Sequence, residues 1–368
     1  MWTHAAWQGR YLPRSLPPRE RLSAYATWCN AVEGNTTFYA TPTLETVQSW
    51  AEQTAPGFRF VLKLPRTVTH EHRLADAGEP LRAFLAAVEP LGPRAHALWV
   101  QLPPSFGPAD LGLLNGFLRR LPPQHSYCVE VRHRAFFEDP RAEQQLERVL
   151  SDVGAEWVPF DTTVLFGQSP RSAAEREAWH NKPRVPRRSR ALTARPIIRY
   201  IGRDDPERTV AGWQPWLDTV TGWLREGRSP TVFIHTPDNV ESLDLARRFH
   251  AEVRARLPEL KPLPEPVPAG PPTLFLLIDG NLAITAARFP AEEPGVILAG
   301  DFADSDSAKI AVGVAASPAR MTQRTSWPSS WHDSISARIC SPTEKPRALR
   351  TRRSRLRHCC RLRSARVA

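Results

Sequence analysis

The stretch Tyr127-Cys128-Val129-Glu130-Val131-Arg132-His133 decides how this chain folds. It begins as an apolar run and ends in ionisable side chains. On a strand, Cys128, Glu130 and Arg132 share one face, and Val129 and Val131 share the other. Charges inside such a run are costly to bury unless they are paired or sit at the mouth of a site. The pattern returns six more times, in runs that end in Glu33-Gly34-Asn35-Thr36-Thr37, in Lys63, in Gln101, in Asp161, in Arg199-Tyr200-Ile201-Gly202 and in His235-Thr236-Pro237. These runs predict strands over 31–37, 58–65, 97–103, 127–133, 155–162, 196–202 and 231–237.

Between them the apolar spacing is helical. Over 80–91, Leu81, Phe84, Leu85, Val88 and Leu91 fall on one face. Further helices are expected over 19–30, 44–54, 109–121, 141–153, 206–225 and 240–256. Strands alternating with helices pair in parallel through right-handed crossovers, and seven or eight such units predict an α/β fold of the TIM (β/α)8 type. A strand is owed before the helix at 19–30, and residues 1–7 do not supply one. The expected fold is therefore a barrel with its first strand missing at the N-terminus. A Pro-rich connector over 257–272 follows, and the β-α rhythm stops after Phe275. Residues 1–275 read as the barrel domain and 276–368 as an Arg-rich, irregular extension expected to be disordered.

The formal charge of +11 over 368 residues belongs to that extension. From Pro318 to Ala368 there are 13 Lys and Arg against 2 Asp and Glu, whereas residues 1–317 hold 36 of each sign. The charge thus says little about a nucleic-acid partner of the folded body. Cys29 and Cys128 lie in apolar runs and read as small buried hydrophobes, and Cys340, Cys359 and Cys360 lie in the extension. No disulfide framework or zinc spacing emerges, which points to a reducing, cytoplasmic setting. The start lacks a signal-peptide pattern, and no apolar run reaches the roughly 20 residues of a membrane span.

Ordered motifs carry a family resemblance. Val32-Glu33-Gly34-Asn35-Thr36-Thr37-Phe38-Tyr39, the run from Phe58 to Pro65, Gln101-Leu102-Pro103-Pro104-Ser105-Phe106-Gly107-Pro108 and Val129-Glu130-Val131-Arg132-His133 resemble the YecE-like family, also called domain of unknown function 72. Asn181-Lys182-Pro183-Arg184-Val185-Pro186, the run from Ile198 to Asp205 and Phe233-Ile234-His235-Thr236-Pro237-Asp238-Asn239 look like its later motifs. The resemblance spans about 2–275. It implies a TIM-barrel-like fold in a cytosolic bacterial protein whose activity is not established. The family's opening strand is absent, and the residues after Phe275 have no counterpart in it.

In a parallel barrel the C-terminal strand ends converge on one mouth. Glu33, Glu130, Asp161 and His235 are the candidate catalytic residues there, for acid–base or hydrolytic chemistry. Asn35, Thr37, Lys63, Gln101, Arg132, His133, Lys182, Arg184 and Arg199 are the candidate ligand-binding residues. The bland reading of the same residues is a salt-bridge network. Lys63 alone is thin support for Schiff-base chemistry. His70, His133 and His235 with the carboxylates suggest a metal site, but the interleaved Arg and Lys compete with a cation, so none is assigned. No cofactor motif is legible. The basic run 182–190 can fold over the mouth and supply an anion or phosphate footprint. Trp2 and Trp7 are candidates for a stacking platform. The leading expectation is a barrel that binds a small anionic or phosphorylated ligand, with enzyme activity left open. A non-catalytic nucleic-acid-binding barrel and a truncated, inactive copy are the alternatives.

Overall fold

The structure, a computed structural model, describes residues 2–14 and 16–266 and the backbone of 311–314. Among the described residues the strands are β1 (Ala31–Gly34), β2 (Arg59–Lys63), β3 (Ala95–Gln101), β4 (Tyr127–Glu130), β5 (Glu156–Trp157), β6 (Phe160–Asp161), β7 (Ile197–Ile201), β8 (Thr231–His235) and β9 (Ala311–Val314). The helices are α1 (Arg21–Trp28), α2 (Leu44–Glu52), α3 (Gly78–Val88), α4 (Leu111–Leu118), α5 (Ala135–Glu138), α6 (Pro140–Ser151), α7 (Thr163–Phe166), α8 (Ala173–Asn181), α9 (Pro206–Arg225) and α10 (Ser242–Arg256). Every strand pairing is parallel, in the order β5-β4-β3-β2-β1-β9-β8-β7-β6.

All seven expected strands form, but they stop short of their predicted ends. The polar termini of the runs lie in turns, such as the short helical turn Thr36–Phe38 after β1. Proline explains several of these stops. Pro65, Pro103 and Pro237 lack the N–H a ladder needs, and Pro159 lies in the gap between β5 and β6. Helix starts follow capping chemistry: the carboxylate of Asp139 accepts from Arg141 N, and that of Asp205 from Glu207 N and Arg208 N. α5, α7 and α8 were not anticipated. The first follows β4, and the other two lie in the connection between β6 and β7.

Alternation along the parallel strands sorts side chains into two layers. Val32, Leu98, Val100, Val129, Ile198, Val232 and Ile234 are fully buried and belong to one core cluster with Val47, Phe84, Leu114, Leu146, Trp213 and Phe249 of the helices. On the opposite face Trp99 of β3 stacks on Phe233 of β8 at 6.1 Å between ring centroids. Side chains from strands far apart in the sheet order therefore meet on that face.

The position owed to a first strand is not empty. β9 lies there, pairing with β1 (Ala31↔Gly313) and with β8 (Val232↔Val312). A strand drawn from the expected extension thus sits where an N-terminal one was missing. The remainder of 276–368, including the Arg-rich end and its three cysteines, lies outside the described residues. Within them, no helix is long and apolar enough to cross a membrane. Cys29 and Cys128 are free and buried.

Candidate functional site

Five charged or polar side chains from five strands form a buried cluster at the C-terminal ends. Glu33 of β1 reaches Lys63 of β2 (Oε1 to Nζ, 2.7 Å) and Arg199 of β7 (3.3 Å), and its other oxygen lies 3.3 Å from His235 Nε2 of β8. Glu130 of β4 takes Arg199 Nη1 at 3.3 Å and Arg132 Nε at 2.8 Å. Arg199 also donates through Nε to His235 Nε2 at 3.2 Å. It thereby joins both carboxylates and the imidazole. Lys63 Nζ donates to Asn35 Oδ1 at 2.9 Å. Glu33 and Glu130 are fully buried, and Lys63, Arg199 and His235 nearly so.

An aromatic floor supports the cations. Lys63 Nζ lies 5.2 Å and the Arg199 guanidinium 5.6 Å from the Trp99 ring, and Arg199 and Arg132 lie 5.1 and 5.5 Å from Phe160. Around the rim, Phe38 meets His70 edge-on at 4.9 Å and Tyr39 at 5.2 Å. Thr37 is buried, and its hydroxyl points at the Gly34 and Lys63 carbonyls, which ties the β1 turn to the end of β2. The turn also needs Gly34, because a Cβ there would collide with Leu62.

Burial and pairing set the protonation states. Burial alone would raise Glu33, but Arg199 and Lys63 outweigh it and hold the carboxyl well below 4.5. Glu130 is likewise lowered, by Arg132, Arg199 and Lys63 against burial. Burial, reinforced by Arg199, lowers Lys63 to about 8 despite Glu33 and Glu130. His235 falls to about 3 through burial and Arg199, so the imidazole is neutral near pH 7. His70 falls to about 4 through burial and then Arg132, Arg66 and Lys63.

The connection after β6 packs against the ends of β6 and β7. Leu165 of α7, Ala178 of α8 and Val185 form a small cluster with Phe160 and Ile201 of the sheet. Arg203, buried, clamps this segment by donating to Glu175 (3.1 and 2.6 Å) and to the carbonyls of Leu165, Gln168 and Ser169. Ser172 caps α8 and also bonds Asp204, which accepts from Asp238 N at 3.0 Å. The segment delivers Lys182, half-buried, to the cluster. Burial followed by Arg199, Arg132 and Lys63 holds its ammonium well below 10.5.

Of the expected site residues, Glu33, Asn35, Lys63, Glu130, Arg132, Lys182, Arg199 and His235 come together. Gln101 adjoins them, paired in register with Glu130. Asp161 does not join. It pairs in register with Tyr200, so it lies on the helix-facing side, where it accepts from Trp216 Nε1 of α9 at 2.6 Å and caps Thr163 N. His133 packs on Phe136 and accepts from Ala135 N. Arg184 is exposed, 5.8 Å from the Phe166 ring. Further along the basic run, Arg188 and Arg190 pair with Glu147 of α6. Trp7 is buried, stacked on Tyr25 and donating to Asn239 O, and Trp2 packs on Trp50, so neither forms a platform at the cluster. Among the described residues no three His, Cys, Asp or Glu side chains are grouped to hold a metal. Sequence reasoning missed the floor of Trp99 and Phe160, although strand alternation from Gln101 puts Trp99 on the same face.

A model of the family described as "Protein of unknown function DUF72" matches residues 1–270. The chain is 37% identical over 263 residues to UPF0759 protein YecE of Escherichia coli O157:H7 and of strain K12, covering 72% of this chain and 94% of each relative. The crystal structure of a DUF72 family protein from Enterococcus faecalis V583 superposes with a TM-score of 0.47 at 19% identity, covering 64% of this chain and 93% of that one.

Proposed function

We propose, for a chain that belongs to the DUF72 family, that the sheet closes into a TIM-type barrel whose mouth binds a phosphate or another small anion. Closure is supported by the run 156–161. It pairs with β4 through β5 and with β7 through β6, so both ends of the strand order belong to one stretch of chain. The Trp99–Phe233 contact between distant strands agrees with this.

Unbalanced charge carries the anion reading. Two carboxylates face Lys63, Arg132 and Arg199, and Lys182 stands beside them with its charged form disfavoured by burial and the same cations until an anion arrives. Arg132 spends only Nε on Glu130, and its two terminal nitrogens make no hydrogen bond among the described residues. A planar guanidinium with two donors to spare suits an oxyanion in bidentate fashion. Acid–base chemistry falls to Lys63 rather than to the glutamates. The glutamates are locked ionised and His235 is locked neutral, whereas a group near pH 8 can exchange a proton under ordinary conditions. The nucleic-acid reading has weaker support, because Arg188 and Arg190 spend their charge on α6.

Calorimetric titration with inorganic phosphate tests the proposal. The protein should bind phosphate, and Arg132→Gln should weaken binding about tenfold or more. Affinity should also decline as pH rises through about 8, where Lys63 loses its positive charge. Failure of the unaltered protein to bind phosphate contradicts the reading.

A further inference from the structure

We infer that Gln101 is a specificity-determining residue that reads a hydroxyl group on a ligand whose anionic end is held by Arg132. This rests on the anion reading above and names the class of ligand: a hydroxylated anion rather than a bare one.

Gln101 ends β3 on the same face as Trp99, two residues before it, whose ring lies beneath Lys63 and Arg199. It pairs in register with Glu130, and Glu130 holds Arg132 through Nε. The amide therefore stands one strand over from the carboxylate that orients Arg132, at the same level of the mouth. Gln101 is 6% exposed, yet its Oε1 is buried without a hydrogen-bond partner, and the amide makes no hydrogen bond among the described residues. A buried amide left unmatched costs free energy, and native structures satisfy such groups almost without exception. Among the groups at this level, the Gln101 amide offers an unmatched acceptor beside the spare terminal nitrogens of Arg132.

The chemistry narrows the match. An amide offers one acceptor and two donors, so its best neutral partner both donates and accepts, as a hydroxyl does. A bare inorganic anion satisfies Arg132 but brings no donor for Oε1. An anion carrying a hydroxyl within a few carbons of the charge satisfies both. Sugar phosphates and hydroxycarboxylates share this chemistry.

The test compares matched probes on the full-length protein by calorimetry. Glycerol 3-phosphate is set against propyl phosphate, and glycerate against propionate, with the unaltered chain and with Gln101→Leu. The expected result is about tenfold tighter binding of the hydroxylated member in the preferred pair. In Gln101→Leu that preference disappears while the affinity for the plain anion is kept. The pair showing the preference identifies the phosphate or the carboxylate source. Equal affinity within both pairs, or a preference that survives in Gln101→Leu, overturns the role of Gln101 and leaves the anion reading standing. No binding of any probe overturns both. Thermal unfolding of the variant checks its fold. Where Gln101→Leu does not fold, Gln101→Asn takes its place, because withdrawing the amide by one carbon should erase the same preference.

Discussion

Arg199 holds the buried cluster together, since among the described residues it alone reaches Glu33, Glu130 and His235. Replacing it with Met keeps the volume but leaves two carboxylates short of a partner in a buried setting. We expect Arg199→Met to destabilise the protein by about 3–5 kcal/mol in denaturant unfolding, more than an exposed Arg would cost. The same groups set an acid limit. Glu33 titrates below 4.5 in the folded state and His235 near 3 rather than 6.5, so in both cases the unfolded chain takes up protons first. Their contribution is complete above pH 6.5 and is lost as pH falls toward about 3. Glu33→Gln should flatten the part of this acid loss that lies below about pH 4.5, as read from unfolding midpoints against pH. These residues were legible because a charge in an apolar run can only be paired or functional. Asp161 obeyed the same rule and was still misplaced. Its strand partner Tyr200 shows it on the outward face, where the Trp216 indole satisfies it, and a carboxylate paired with an indole across a helix leaves no trace in local sequence.

At the scale of elements, the segment from α7 through Lys182 is held by the Arg203–Glu175 ion pair, the Ser172 cap and the carbonyls Arg203 reaches, together with the apolar contacts of Leu165, Ala178 and Val185. Glu175→Gln keeps the shape and removes the charge that Arg203 grips. Amide exchange over 163–182 should accelerate by about an order of magnitude, while β7 and β8 keep their protection. Equal exchange in the variant would mean that the hydrophobic contacts of Leu165 and Ala178 hold the segment unaided. That this connection brings Lys182 toward the strand-end cations is consistent with its length. Its helices were not legible in the sequence, because the apolar positions of 163–181 are too few to show a period. The basic run 182–190 misled for a related reason. Coil has no fixed repeat, so neighbours in sequence diverge in space, with Lys182 at the mouth and Arg188 on α6.

For the whole molecule, the missing strand is the informative failure. Residues 31–256 announced a plan one strand short, and among the described residues no strand precedes β1. The sequence did not show that Ala311-Val312-Gly313-Val314 takes the position, because four apolar residues make a weak signal and their partners lie 80 residues away in β8 and 282 away in β1. Val312→Pro puts a residue without an N–H in the middle of β9, between β1 and β8, and should cost about 1–3 kcal/mol, lowering the thermal midpoint. An unchanged midpoint would show that β1 and β8 do not depend on that strand. The claim that unites these scales is that parallel strands bring a surplus of positive charge to one mouth for an anion. The most direct measurement is a crystal structure of the protein soaked with tungstate, a heavy tetrahedral oxyanion visible by its anomalous signal. The account predicts a peak within hydrogen-bond distance of the Arg132 terminal nitrogens and close to Lys182. A peak confined to surface arginines such as Arg187, with none at the mouth, would contradict it.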